Sequence, residues 1–126
     1  MLITDSISPE IKQRIIQELV PGKQISLAHI IANPDSIMYT KLGLDPTVDY
    51  SSGSAIGIMT VSPAEAAIIM GDIALKSAGI ELGFVDRFSG SLIVTGTVSE
   101  VEASVSAVLR YFEETLKFAV CDITRT

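Results

Sequence analysis

An α+β fold, with helices laid over one face of an antiparallel sheet, is what this sequence predicts. Three observations carry it. Two stretches of the form Ser-x-x-Glu, Ser62-Pro63-Ala64-Glu65 and Ser99-Glu100-Val101-Glu102, each open an amphipathic run. Short runs rich in Ile and Val flank both. A compact turn, Asp86-Arg87-Phe88-Ser89-Gly90, separates two of those runs as in a hairpin. At 126 residues and 13.4 kDa the chain holds one domain.

Ser8-Pro9-Glu10 reads as an N-cap, a Pro at the first helical position and an acid in the first turn. Ile11, Ile15, Ile16 and Leu19 make a helical stripe, yet Arg14 to Val20 reads almost as well as a strand, and the residues alone leave both open. Pro21-Gly22 breaks the chain. Ile25 to Ala32 reads as a strand with Ile25, Leu27, His29 and Ile31 on one face. Asn33-Pro34-Asp35-Ser36 turns into a short helix, Ile37 to Leu42, ended by Gly43. Residues 44 to 54, with Pro46, Asp49 and Ser51-Ser52-Gly53-Ser54, are the most loop-like stretch.

Ile56, Ile58 and Val61 belong to a strand that runs into the first Ser-x-x-Glu, read as a capping box with Pro in place. Ala66, Ile69, Met70, Ile73 and Ala74 then recur at helical spacing, and Gly79 ends that helix. Ile80 to Val85 is a strand and Ser91 to Thr97 its hairpin partner. The second box starts a helix with the stripe Val101, Val105, Val108, Leu109, Phe112 and Leu116. Phe118 to Ile123 closes the chain as a strand. From Ala55 the order is β-α-β-β-α-β, the ferredoxin-like arrangement. The strand at 25–32 is then surplus, so two segments compete for one place in a four-stranded sheet.

Composition narrows the function. Hydrophobic residues make up 48% and mean hydropathy is +0.46, more than one small core uses, which points to subunit interfaces. A formal net charge of −6 and a pI near 4.6 argue against phosphate-driven nucleic-acid binding. No apolar run approaches the ~20 residues a membrane span needs. Met1-Leu2-Ile3-Thr4-Asp5 lacks the basic start of a secretory signal, and the single Cys121 forms no internal disulfide, so a reducing cytoplasm is expected. Cys121 with the single His29 is too little for a zinc site, and no cofactor is expected.

Each polar residue has a plain structural reading. His29 as a general base would need a nucleophile and an orienting acid, and is read instead as a hydrogen-bonded structural histidine. Cys121 has no CxxC partner and reads as an inert thiol. Asp72 and Lys76 stand four apart on a helix, the spacing of a solvated ion pair. Gly79, Gly83, Gly90 and Gly96 form no phosphate loop. No catalytic constellation emerges, so the chain is not read as an enzyme. The small side chains of Ala64, Ala66, Ala67, Gly71, Ala74, Ser77 and Ala78 instead allow close approach of a neighbouring element.

Several separated blocks share one resemblance. Ala55-Ile56-Gly57-Ile58-Met59-Thr60, Pro63-Ala64-Glu65-Ala66, Gly71 to Ala78 and Glu81-Leu82-Gly83-Phe84 resemble the first half of the bacterial microcompartment (BMC) shell domain. Gln17 to Gln24, Leu27 to Pro34, Asp86 to Gly90 and Cys121 to Thr126 are similar to its circularly permuted branch, the small shell proteins of ethanolamine-, propanediol- and choline-utilisation compartments. The resemblance implies a permuted BMC domain at 23–126, behind an N-terminal extension at 1–22. It implies a flat homo-hexamer that tiles with other BMC shell proteins around encapsulated enzymes in the bacterial cytoplasm. By the same likeness Ile15, Ile16, Leu19 and Val20 lie on a strand of a small barrel capping the central pore. Asp86, Arg87, Phe88, Ser89 and Gly90 match the pore-proximal loop. Lys76 matches the edge lysine between hexamers, and Asn33 stands before Pro34 where unpermuted members usually carry Arg. A different class, a small ferredoxin-like regulatory or ligand-binding oligomer, is the competing reading. A thiol or histidine enzyme using Cys121 and His29 is a third.

Overall fold

The computed structural model of the chain describes residues 23–44 and 54–126. The helix-or-strand question at Arg14 to Val20, the Pro21-Gly22 break and the 45–53 loop lie outside those residues. In order come β1 (Gln24–Ala32), α1 (Ile37–Lys41), β2 (Ser54–Ser62), a 3-10 turn (Ala64–Ala66), α2 (Ala67–Ser77), β3 (Glu81–Asp86) and β4 (Ser91–Thr97). Then come α3 (Val98–Glu114), β5 (Ala119–Val120) and β6 (Thr124–Arg125).

The sheet runs β3-β4-β2-β1-β5, with β6 also on β1. The competition for one place is won by β1, which pairs antiparallel with β2 from Gln24↔Ser62 to Ala32↔Ala55. The C-terminal segment is left with the outer edge of β1. There it pairs in parallel at Ala119–Val120 and at Thr124–Arg125, not as the single strand expected over Phe118 to Ile123. The parallel direction is open to it because α3 carries the chain back across the sheet first.

A bulge between Ile25 and Leu27 corrects the expected face of β1. The extra residue reverses the alternation, so Ile25 is buried in phase with Ala28 and Ile30, while Leu27, His29 and Ile31 take the other face. α2 and α3 lie over the first of these faces, on Ala55, Met59, Val61, Leu92 and Val94. At Gly57 α3 sits directly on β2, since a Cβ there would stand 2.9 Å from Val101 and from Val94. The stripe expected for α3 is buried from Val101 to Phe112, with Ser104 added and Leu116 partly covered.

The start of α2 differs from expectation. Ser62 ends β2, Pro63 is extended, and a 3-10 turn precedes the α-helix with no side-chain cap. Of the expected stripe, Ala66, Met70 and Ala74 are buried and Ile73 is partly covered, while Ala67 and Gly71 join them and Ile69 is exposed. The second box slides two residues back. Thr97 Oγ1 accepts the Glu100 N–H at 3.2 Å, and the Glu100 carboxylate accepts the Thr97 N–H at 3.1 Å. Thr97-Val98-Ser99-Glu100 has the same Ser/Thr-x-x-Glu form, and the strand ends at Thr97, so the reciprocal cap forms there.

Helices do not cover only one face. α1 lies on the second, where Tyr39 and Leu44 are buried with Ile56, against Ile31, Ile58 and Ile93. Gly43, at φ 69°, ends α1 in the left-handed conformation expected of a C-terminal glycine.

Candidate functional site

Lys76 occupies the last turn of α2, where a cation suits the helix dipole. Its Nζ lies 2.8 Å from Asp72 Oδ2, and both side chains are well exposed. The hydrogen bond and charge of Asp72, with a smaller contribution from Tyr111 on α3, hold the ammonium above the ordinary lysine range. Asn33 follows β1 with φ 50° and donates its N–H to the Ser54 carbonyl at 2.9 Å. Asn tolerates that left-handed backbone better than most side chains do.

The turn between β3 and β4 is held from inside. Asp86 Oδ1 accepts the Phe88 N–H at 2.8 Å and Oδ2 accepts the Ser89 hydroxyl at 2.8 Å. These bonds, the Phe88 amide foremost, keep the Asp86 carboxyl below the usual carboxylate range. Gly90 donates its N–H to the Asp86 carbonyl and accepts the Val61 N–H, each at 2.9 Å. On this support Phe88 is 82% exposed, with the Arg87 guanidinium 5.0 Å from its ring centroid. The turn presents an apolar ring and a cation in a fixed place.

His29 is partly buried and engaged at both nitrogens. Nδ1 lies 2.6 Å from Thr124 Oγ1 and Nε2 lies 2.9 Å from Thr126 Oγ1. Its partners are hydroxyls that can donate or accept, so the imidazole joins the C-terminal segment to β1, a structural role. The backbone bonds Ala32 N–H to Thr126 O and Thr126 N–H to Ile30 O, both 3.0 Å, fix the same seam. Nothing in the sequence pairs residues this far apart, so these partners were not legible. Cys121 lies between β5 and β6, and burial pushes its thiol above the ordinary range, which lowers the reactive thiolate fraction. His29 and Cys121 are thus placed as structural groups. Among the described residues, no group of three His, Cys, Asp or Glu could hold a metal, and no helix is long and apolar enough to cross a membrane. Ile15, Ile16, Leu19 and Val20 lie outside the described residues.

Sequence reasoning also missed an apolar flank. Ile68 and Leu75 of α2 and Leu82 and Val85 of β3 are exposed. Ile68 and Leu75 fall outside the stripe read for α2, and periodicity cannot say which apolar positions a fold leaves uncovered.

These surfaces belong to a small α+β domain of ferredoxin-like element order. Residues 55–124 match the family model described as the BMC domain, and the chain belongs to that family. Bacterial microcompartment shell protein PduU of Salmonella typhimurium is 52% identical over 113 residues, covering 90% of this chain and 93% of that one. Bacterial microcompartment shell protein EutS of Escherichia coli is 44% identical over 115 residues, covering 91% and 98%. A solved structure described as a CutR flat hexamer is 44% identical with a TM-score of 0.76, covering 85% of this chain and 94% of that chain. A CutR screw with a 33.8 Å pitch is 42% identical with a TM-score of 0.74, covering 82% and 99%.

Proposed function

We propose that this chain is a structural, non-enzymatic subunit of a bacterial microcompartment shell. It forms a cyclic hexamer that tiles with other shell proteins around encapsulated enzymes in the bacterial cytoplasm. The observation that carries this is the likeness to the CutR flat hexamer across 85% of the chain. Light scattering behind gel filtration is expected to give a mass near six times 13.4 kDa. A dimer or trimer would favour the regulatory reading. The CutR screw supports a second assembly: a head-to-tail contact closes only when the rotation per subunit is right and the axial shift is zero. Electron microscopy separates rings from filaments.

Circular permutation is supported by where the family match begins. β1 and α1 precede residue 55, yet β1 lies inside the sheet between β2 and β5. In this reading 23–126 is the permuted domain and 1–22 the extension. Asp86 to Gly90 face the pore, and Lys76 with Asn33 lies at the hexamer edge. Lys76→Ala is expected to leave the hexamer mass unchanged and weaken two-dimensional arrays, because an exposed lysine stem and ammonium act between oligomers. Loss of the hexamer itself would refute that placement.

Removal of residues 1–20 tests the cap. Ile15, Ile16, Leu19 and Val20 are too apolar for a solvated tail, and strands from several subunits can close a barrel without free edges. The truncated protein is expected to keep its oligomeric mass and show an axial opening by electron microscopy. Unfolded monomers would assign those residues to the main core instead.

A further inference from the structure

An exposed aliphatic surface lies along one flank of the described fold. On α2, Ile68 and Leu75 border the buried Gly71, whose missing Cβ would lie 3.7 Å from Leu82 and Leu92. Leu82 pairs with Val94 and Val85 with Leu92, so both point to the face that carries α2. Because α2 runs back from the end of β2, Ile68 lies toward Val85 and Leu75 toward Leu82. The four side chains form one strip, each between 38% and 56% exposed. It runs beside β3, the last strand of the sheet on that side.

We infer that this strip is one half of the contact between successive copies of this chain in the ring, an inference that rests on the shell reading above. Three observations favour a second copy as the occupant. Similar chains are solved as flat hexamers, so surfaces of this fold do become covered by copies. A chain of net charge −6 repels its own copies, and this strip is aliphatic with its neighbouring Asp72 neutralised by Lys76. An apolar edge strand is also a hazard unless the native assembly covers it. The strip excludes the outward side of α2, where Ile69, Asp72 and Lys76 stand. One helix thus serves two contacts, Leu75 within the ring and Lys76 between rings. In a cyclic assembly the strip meets an unlike surface of the next copy, not itself.

The test uses Leu75→Glu and Leu82→Glu, with Ile69→Glu as the control one position from Ile68 on the outward side. At a fixed concentration at which wild type is hexameric, each of the first two is expected to reduce hexamer roughly tenfold or more, since a carboxylate would be buried without a partner. Circular dichroism should remain that of the folded chain, and Ile69→Glu should keep the wild-type mass. Co-expression with tagged wild type gives a second readout. A variant lacking the strip keeps the opposite surface, so it joins one end of a growing chain and stops closure, drawing wild type into species smaller than six. Wild-type mass for both strip variants, equal disruption by Ile69→Glu, or variant and wild type remaining as separate populations would each overturn the inference. If Leu82→Glu unfolds, Leu75→Glu and the mixing result decide. A monomeric wild type would overturn the shell reading itself, and this inference with it.

Discussion

Gly90→Ala is expected to destabilise the subunit by about 2–4 kcal/mol, from a left-handed backbone and a clash that no rotamer relieves. Gly90 has φ 77°, and an added Cβ would stand against the Val61 carbonyl oxygen and 3.1 Å from Ala64 Cα. Both obstacles are backbone. Moving them apart would stretch the bond from the Val61 N–H to the Gly90 carbonyl, which ties the turn to the end of β2. Gly43 supplies the comparison, with φ 69° and nothing within 4 Å of the added atom. Gly43→Ala therefore carries only the conformational cost, about 1–2 kcal/mol. Urea denaturation of both variants at one protein concentration checks the difference, because oligomers have concentration-dependent midpoints. Equal losses would mean that the Val61 contact relaxes and that only the dihedral matters. The same substitution is expected to disturb the Phe88 and Ser89 signals, since Asp86 holds both groups from the strand that Gly90 joins.

The contrast between these two glycines shows what a sequence carries. Gly43 was legible as a helix terminator, because it comes just after an apolar helical run. Gly90 was legible as a turn residue, but its contact with Val61 depends on β2 lying beside that turn. The same division runs through the fold. The α3 stripe was readable because one helix buries one continuous face against one sheet. The α2 stripe was readable at Ala66, Met70 and Ala74, whereas periodicity could not say that Ala67 and Gly71 rather than Ile69 meet the sheet. On β1, alternation was correct in period, and the bulge at Ile25/Leu27 reversed its face. The contest between the first and last strands could be posed from element order but not decided. Its outcome rests on register, eight residue pairs between β1 and β2 against two short contacts for the C-terminal segment. At the site, Lys76 with Asp72 was readable from spacing alone, whereas His29 with Thr124 and Thr126 required the folded seam. The apolar strip beside β3 was hidden for a different reason: Ile68 and Leu75 fall outside the α2 stripe, and an apolar residue outside a stripe carries no mark of what covers it.

Phe112→Ala is expected to cost about 3–5 kcal/mol, the range for deleting a fully buried aromatic ring. Phe112 is completely buried on α3, and its ring meets Phe118 edge-on, centroids 4.9 Å apart at 81°. The backbone doubles that contact, because the Phe118 N–H donates to the Phe112 carbonyl at 2.8 Å. Directly beyond, the Ala119 N–H reaches the Lys23 carbonyl at 2.8 Å and begins the pairing of β5 with β1. The ring pair therefore anchors the start of the C-terminal segment, whose end is held to β1 by His29 and to α3 by the Arg125–Glu102 ion pair. Loss of the ring should loosen residues 119–126 before it melts the rest of α3. Cys121 reports on this directly, since its thiol is partly buried and burial raises its pKa. Alkylation of Cys121 under native conditions should accelerate in Phe112→Ala, and hydrogen exchange at the Thr126 amide should quicken with it. Phe112→Leu keeps most of the volume and should cost less than about 1.5 kcal/mol, with a correspondingly smaller change at Cys121. A stability loss of the expected size with an unchanged alkylation rate would show that β5 and β6 hold to β1 without Phe118. In that case the hydrogen bonds of His29 to Thr124 and Thr126 would be the stronger anchor of the seam.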